Sequence, residues 1–219
     1  MKVFRVLLLG VVLVCIATTQ AWAFPVSVGD EVYFNYALGS GTSPGGPFSV
    51  YDSGTGSKLF DTFCLERNEY IHLGSQNKYF VSGIDEYAAK GGIGGATNQK
   101  DYLSSATKWL FWQFVAGNLD DYVAGYTYNT VWSTALQQAF WYLEDEVTSV
   151  TGKACSLAQL ANLHQGDSIG GSVMVMNIFD MNNQYAQSQL LATPTPEPGT
   201  LILLGSGIAV LAGLRRRKK

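Results

Sequence analysis

The chain has 219 residues, 13% aromatic and only 14% charged, with 14 Lys and Arg against 17 Asp and Glu. Seven basic residues (Lys2, Arg5, Arg215, Arg216, Arg217, Lys218 and Lys219) sit at the two ends, so the body keeps 7 basic residues against all 17 acidic ones, a formal charge near −10. So acidic a body disfavours nucleic acid and anionic membrane surfaces as partners. With only His72 and His164, no ligand-spaced cluster, no phosphate loop, no dinucleotide fingerprint and no nucleophile elbow, the sequence calls for no metal and no cofactor.

Residues 1–23 read as a secretory signal peptide. Lys2 and Arg5 precede an apolar run from Val6 to Ala17, and the small-residue pattern Ala21-Trp22-Ala23 follows, with cleavage expected after Ala23. A permanent anchor needs about 20 apolar residues, and this run is too short. Cys15 leaves with the signal.

Beyond the signal, residues 24–182 are expected to form one compact ectodomain. Alternation around Val28, Val32, Phe34 and Tyr36 predicts a strand or two over residues 26–38, broken by the glycine-rich segment 39–46. Strands are expected next at 48–51, 58–65, 68–73 and 78–81, then a short helix over 84–90 and a flexible loop at Gly91-Gly92-Ile93-Gly94-Gly95. The period then changes. Leu103, Ala106, Trp109, Leu110, Phe114 and Val115 predict a helix over 101–115, and Val131, Ala135, Ala139 and Leu143 predict another over 130–147. A third helix fits 156–165 with Ser156 as its cap, and 172–179 alternates like a returning strand. The order gives an α+β fold: a β-rich sandwich or barrel with a helical insertion.

Residues 183–198 are expected to be a linker, ending in Thr193-Pro194-Thr195-Pro196-Glu197-Pro198, stiffened by proline. Residues 199–219 then hold an apolar stretch from Leu201 to Leu214, expected as a transmembrane sorting helix, and the basic end Arg215-Arg216-Arg217-Lys218-Lys219. Pro196, Glu197 and Pro198, the Leu-rich stretch, and Arg215, Arg216 and Arg217, in that order, resemble a PEP-CTERM sorting signal. The resemblance implies a Gram-negative, polysaccharide-making host and processing by an exosortase. It also implies transient anchoring in the inner membrane and release to the cell surface or extracellular matrix.

Two cysteines remain, Cys64 and Cys155, in a compartment that permits disulfides, so a Cys64–Cys155 bridge is one expectation. The other comes from Phe63-Cys64-Leu65-Glu66 at the end of a predicted strand and Leu136-Gln137-Gln138-Ala139-Phe140-Trp141 on the second strong helix. These pieces resemble the signature of the bacterial thioester domain of surface adhesins, in which an aromatic-flanked Cys pairs with the Gln of a Thr-Gln-x-Ala-Ile-Trp-like motif. Ala139 and Trp141 place the family's Gln on Gln137, while Leu136 stands where the family has Thr and Phe140 where it has an aliphatic residue.

The resemblance implies an internal Cys64–Gln137 thioester, with Phe63, Ala139, Phe140 and Trp141 as neighbours that keep water away. It implies covalent attachment, in a single turnover rather than as an enzyme, to an extracellular polymer or protein bearing an amine or hydroxyl. Two other functions remain open. One is a noncovalent exopolysaccharide- or biofilm-matrix-binding protein that uses the Tyr-rich stretch from Tyr122 to Tyr128 for stacking, and the other a Cys hydrolase pairing Cys64 with His72 or His164.

Overall fold

The computed structural model describes residues 24–37, 45–94, 96–98 and 100–194. The expected signal peptide, the Pro-Glu-Pro motif and the expected C-terminal helix lie outside them. Among the described residues no helix is long and apolar enough to cross a membrane.

Phe24–Thr193 forms one compact unit of mixed helix and sheet. Its main sheet has six strands in the order β3-β2-β1-β4-β7-β8, made of β1 (Glu31–Tyr36), β2 (Phe48–Asp52), β3 (Lys58–Thr62), β4 (Lys78–Asp85), β7 (Gly171–Asp180) and β8 (Tyr185–Pro194). In β1 the alternation of Glu-Val-Tyr-Phe-Asn-Tyr buries Val32 and Phe34. The antiparallel register sets Phe34 opposite Val50 of β2 and Val32 opposite Tyr79 of β4. Beyond Thr62 the chain leaves β2 and turns to β8. Cys64 bridges Gln189, Leu65 N–H donates to Ser188 C=O at 3.1 Å, and Leu190 N–H donates to Phe63 C=O at 3.0 Å. The sheet therefore curls until its two outer strands meet beside Cys64.

The helices come as one block between the sheet strands: α1 (Ser105–Ala116), α2 (Leu119–Tyr122), α3 (Thr130–Leu143) and α4 (Gly152–His164). Ser104 caps α1, its Oγ accepting from Thr107 N–H, and Gly117 ends the helix at φ +73. Asn129 caps α3 by accepting from Val131 and Trp132 N–H. Two apolar clusters result. One lies among the helices around Phe63, Phe111, Leu136 and Phe140, and the other inside the curled sheet around Phe34, Cys64, Trp141 and Ile178.

Several boundaries differ from the sequence reading. Residues 84–90 are not helical: β4 runs on to Asp85, and β5 (Tyr87–Ala88) pairs with β6 (Asp101–Tyr102). The cause is tertiary, because the buried Asn177 side chain accepts from Ala89 N–H at 2.9 Å and donates to Tyr87 C=O at 3.1 Å, holding this stretch extended. Residues 68–73 form no strand; His72 N–H donates to the Tyr79 hydroxyl instead of to a neighbouring strand. The first helix starts at Ser105 rather than 101, since β6 claims Asp101 and Tyr102. The second ends at Leu143 rather than 147. The third begins at Gly152, so Ser156 lies inside it and bonds back to Gly152 C=O.

The largest difference is β8, which fills most of the expected linker and carries the compact unit to Thr193. The expected loop at 91–95 is not loose at Gly92. A Cβ there would collide with Glu146 Oε1, so the backbone passes close enough for Ile93 N–H to reach that carboxylate.

Candidate functional site

Cys64 and Gln137 meet where the end of β3 crosses α3. In the extended segment 63–65 successive side chains point to opposite sides, so Phe63 enters the helical cluster and Cys64 the sheet cluster. On α3, Gln137 and Trp141 are four residues apart and share the face toward the sheet, while Leu136, Ala139 and Phe140 turn to the helices. Cys64 is fully buried and Gln137 is 2% exposed.

The contact between them is a closed set of hydrogen bonds. Cys64 Sγ lies 3.2 Å from Gln137 Oε1 and donates to it; Cys64 N–H donates to the same oxygen at 3.2 Å, and Gly46 N–H at 2.8 Å. Gln137 Nε2 in turn donates to Cys64 C=O at 2.8 Å. The carboxamide is thus fixed in plane with its carbonyl toward the thiol. Burial pushes the Cys64 thiol far above the ordinary thiol range, which the main chain of Gly46 and the Trp141 indole partly offset and the Glu66 charge reinforces. Cys64 is therefore a neutral thiol at physiological pH.

Both cysteines are free. Cys64 is buried and Cys155 half-buried on α4, so the expected Cys64–Cys155 disulfide is not formed. The residues expected to shield the pair divide between two sides. Phe63 packs against Phe140 and Phe114 with ring centroids 5.1 Å apart in each case, backing the strand from the helical side together with Ala139. Trp141 alone of the four shares the sheet cluster with Cys64. No hydrogen bond or ion pair joins either histidine to Cys64 among the described residues. His164 pairs with Asp167 and stacks on Trp109 instead.

Sequence reasoning missed the Gly45-Gly46 turn. Gly45 has φ +103, and a Cβ on it would stand 2.6 Å from Gln137 Cγ. The signal was present as a glycine pair before Pro47, which marks a close backbone approach as readily as a loop. It also gave no role to Glu66, whose buried carboxyl is pushed up to about 7 by burial, against the bond its Oε2 accepts from Ser188 N–H at 2.7 Å.

Gln137, Gly46 and Trp141 form part of the wall of a 670 Å³ cavity that also takes in Thr134, Gln138, Asp145 and Thr151. A second cavity of 530 Å³ lies between β3, α1 and the Tyr126–Tyr128 segment, walled by Phe60, Phe111, Phe114, Tyr126 and Tyr128 with Asp61 and Asp120. No group of three or more His, Cys, Asp and Glu is placed to hold a metal ion among the described residues.

Fold and site together define a sheet-rich α+β domain built around a buried Cys–Gln contact. Residues 194–218 match the PEP-CTERM protein-sorting motif, the segment that contains Pro196, Glu197, Pro198 and Arg215, Arg216 and Arg217. That motif points to an exported, cell-surface or extracellular protein and implies processing by an exosortase. No curated protein and no solved structure is similar to the chain.

Proposed function

We propose that the ectodomain is a covalent attachment module of the cell surface or extracellular matrix, working through an internal thioester between Cys64 and Gln137. The observation that carries this reading is the 3.2 Å approach of Cys64 Sγ to Gln137 Oε1 in a site that fixes the carboxamide on three sides. Amides resist thiols in water, and a fold that holds the sulfur beside a fixed carboxamide removes part of that barrier. The thiol adds to Gln137 Cδ, ammonia leaves, and the thioester becomes an acyl donor to an amine or hydroxyl on an extracellular polymer or protein. The 670 Å³ cavity bordered by Gln137 gives that acceptor a route to the bond. The reaction consumes the site, so the module acts once. In this reading the signal peptide exports the chain and the C-terminal segment holds it briefly in the inner membrane before processing.

Intact-mass measurement on the mature protein tests the proposal. The expected mass is lower by one ammonia, methylamine adds to it and leaves the chain one CH2 heavier than the unreacted protein, and neither change occurs in Cys64→Ala or Gln137→Ala. A mature protein at full mass with two titratable thiols rejects it.

The aromatic cavity supports a second reading, noncovalent binding of a matrix polysaccharide. Phe114 and Tyr128 meet edge to face at 5.5 Å and offer a stacking surface, with Asp61 and Asp120 as acceptors for hydroxyls. Retention on polysaccharide that survives Cys64→Ala and is lost in Tyr128→Ala would favour it.

A further inference from the structure

Burial holds the Cys64 thiol neutral, so the site does not offer a ready thiolate. It offers activation of the other partner. Two main-chain N–H groups, from Gly46 at 2.8 Å and Cys64 at 3.2 Å, converge on Gln137 Oε1 within the core. Both are backbone groups in fixed positions, so they need no rearrangement when charge develops on that oxygen. The turn that supplies the first is built for close approach. A Cβ on Gly45 would stand 2.6 Å from Gln137 Cγ, and one on Gly46 would stand 3.0 Å from Thr62 C=O and 3.2 Å from Oε1 itself.

We propose that the Gly46 and Cys64 main-chain N–H groups form an oxyanion site that acts twice, first when the thioester closes and again when an acceptor opens it. The inference rests on the thioester reading and assigns to Gly46 a catalytic part in it. In the closing step sulfur bonds to Gln137 Cδ and the carbonyl electron pair moves onto Oε1, where the two N–H groups hold it. Its return breaks the C–N bond, and the thiol proton leaves with the nitrogen as ammonia. In the opening step the acceptor nitrogen bonds to the same carbon and the negative charge returns to the same cradle. The C–S bond then breaks, and sulfur takes the proton given up by the nitrogen. No further reactant is needed.

The test uses full-length mature protein carrying 13C in its glutamine side-chain carbonyls, with Cys64→Ala as the infrared reference. The mass spectrum is read first, and a protein that has lost no ammonia fails the thioester reading itself. Where ammonia is lost, the thioester carbonyl band is expected below that of a simple alkyl thioester in an apolar solvent. Gly46→Pro, which deletes the donor, should raise the band and slow methylamine opening by about 100-fold. Gly45→Ala, which crowds Gln137 Cγ, should act in the same direction, and thermal unfolding of each variant reports whether the fold persists. If neither variant folds, the wild-type band alone decides. A wild-type band at the apolar-solvent position, or folded variants opened at the wild-type rate, overturns the oxyanion assignment while leaving the thioester intact.

Discussion

Gln137 and Cys64, 73 residues apart in sequence, exchange three hydrogen bonds inside the core, two received by the carboxamide oxygen and one given by its nitrogen. The pair therefore fastens α3 to the closing edge of the sheet whether or not it reacts, and this gives it a structural signature separate from its chemistry. Gln137→Ala leaves Gly46 N–H and Cys64 C=O buried without that partner. Before any thioester forms, the expected cost is about 1–3 kcal/mol in urea unfolding. A variant as stable as the wild type would show that the clamp contributes nothing.

Phe63 fills the space between Phe114 and Phe140 directly behind Cys64. Phe63→Ala opens a cavity there and should cost about 3–5 kcal/mol. Phe63→Leu should cost less and leave ammonia loss detectable by mass.

Ser104 does two jobs at the start of α1. Its Oγ accepts from Thr107 N–H at 3.1 Å and donates to Glu144 Oε1 at 2.7 Å, joining the head of α1 to the end of α3. Ser104→Ala removes both and should destabilise by about 1–2 kcal/mol, read as a lowered Tm. Ser104→Asp keeps a capping acceptor but sets a carboxylate against Glu144, so it should not restore stability at neutral pH.

Stability should peak in mildly acidic solution. Burial pushes the carboxyls of Glu66 and Glu144 up to about 7, against an ordinary 4.5. Each native carboxyl holds its proton more tightly than in the unfolded chain. Its contribution is complete below about 4.5 and is lost as pH rises through 7, an upper limit of about 3 kcal/mol apiece. Glu31, bonded to Lys78, and Asp52, bonded to Thr55, are held below their ordinary values, so stability falls again below about pH 4. Thermal unfolding from pH 3 to 8 should give a maximum near pH 5, and Glu66→Gln should flatten the alkaline side. A Tm that rises steadily from pH 5 to 8 would contradict this.

Thiol labelling separates the cysteines. Before any thioester forms, Cys155, half-buried on α4, should react with iodoacetamide in the native protein, whereas Cys64 should react only after unfolding. Equal native labelling of both would show that the core around Cys64 opens readily.

By itself the sequence determined what short-range pattern can encode. Helical periodicity marked α1 and α3, alternation marked β1 and β7, and the order of Pro196-Glu197-Pro198, apolar stretch and basic end spelled out the sorting motif found at residues 194–218. Cys64 and Gln137 were paired by resemblance to a family signature rather than by any local pattern, and the structure brings the two side chains into contact. Tertiary structure decided the rest. Helix-like residues 84–90 became extended because Asn177, far along the chain, claims their backbone groups. The Ala186-Gln-Ser-Gln stretch became part of a buried strand because Gln187 and Ser188 bond the Glu66 main chain and carboxylate, satisfaction that no local pattern reveals. The Gly46 N–H on Gln137 Oε1 belongs to the same class. A backbone donor carries no letter in the sequence, and only the closure of the sheet against α3 brings it to the oxygen it serves.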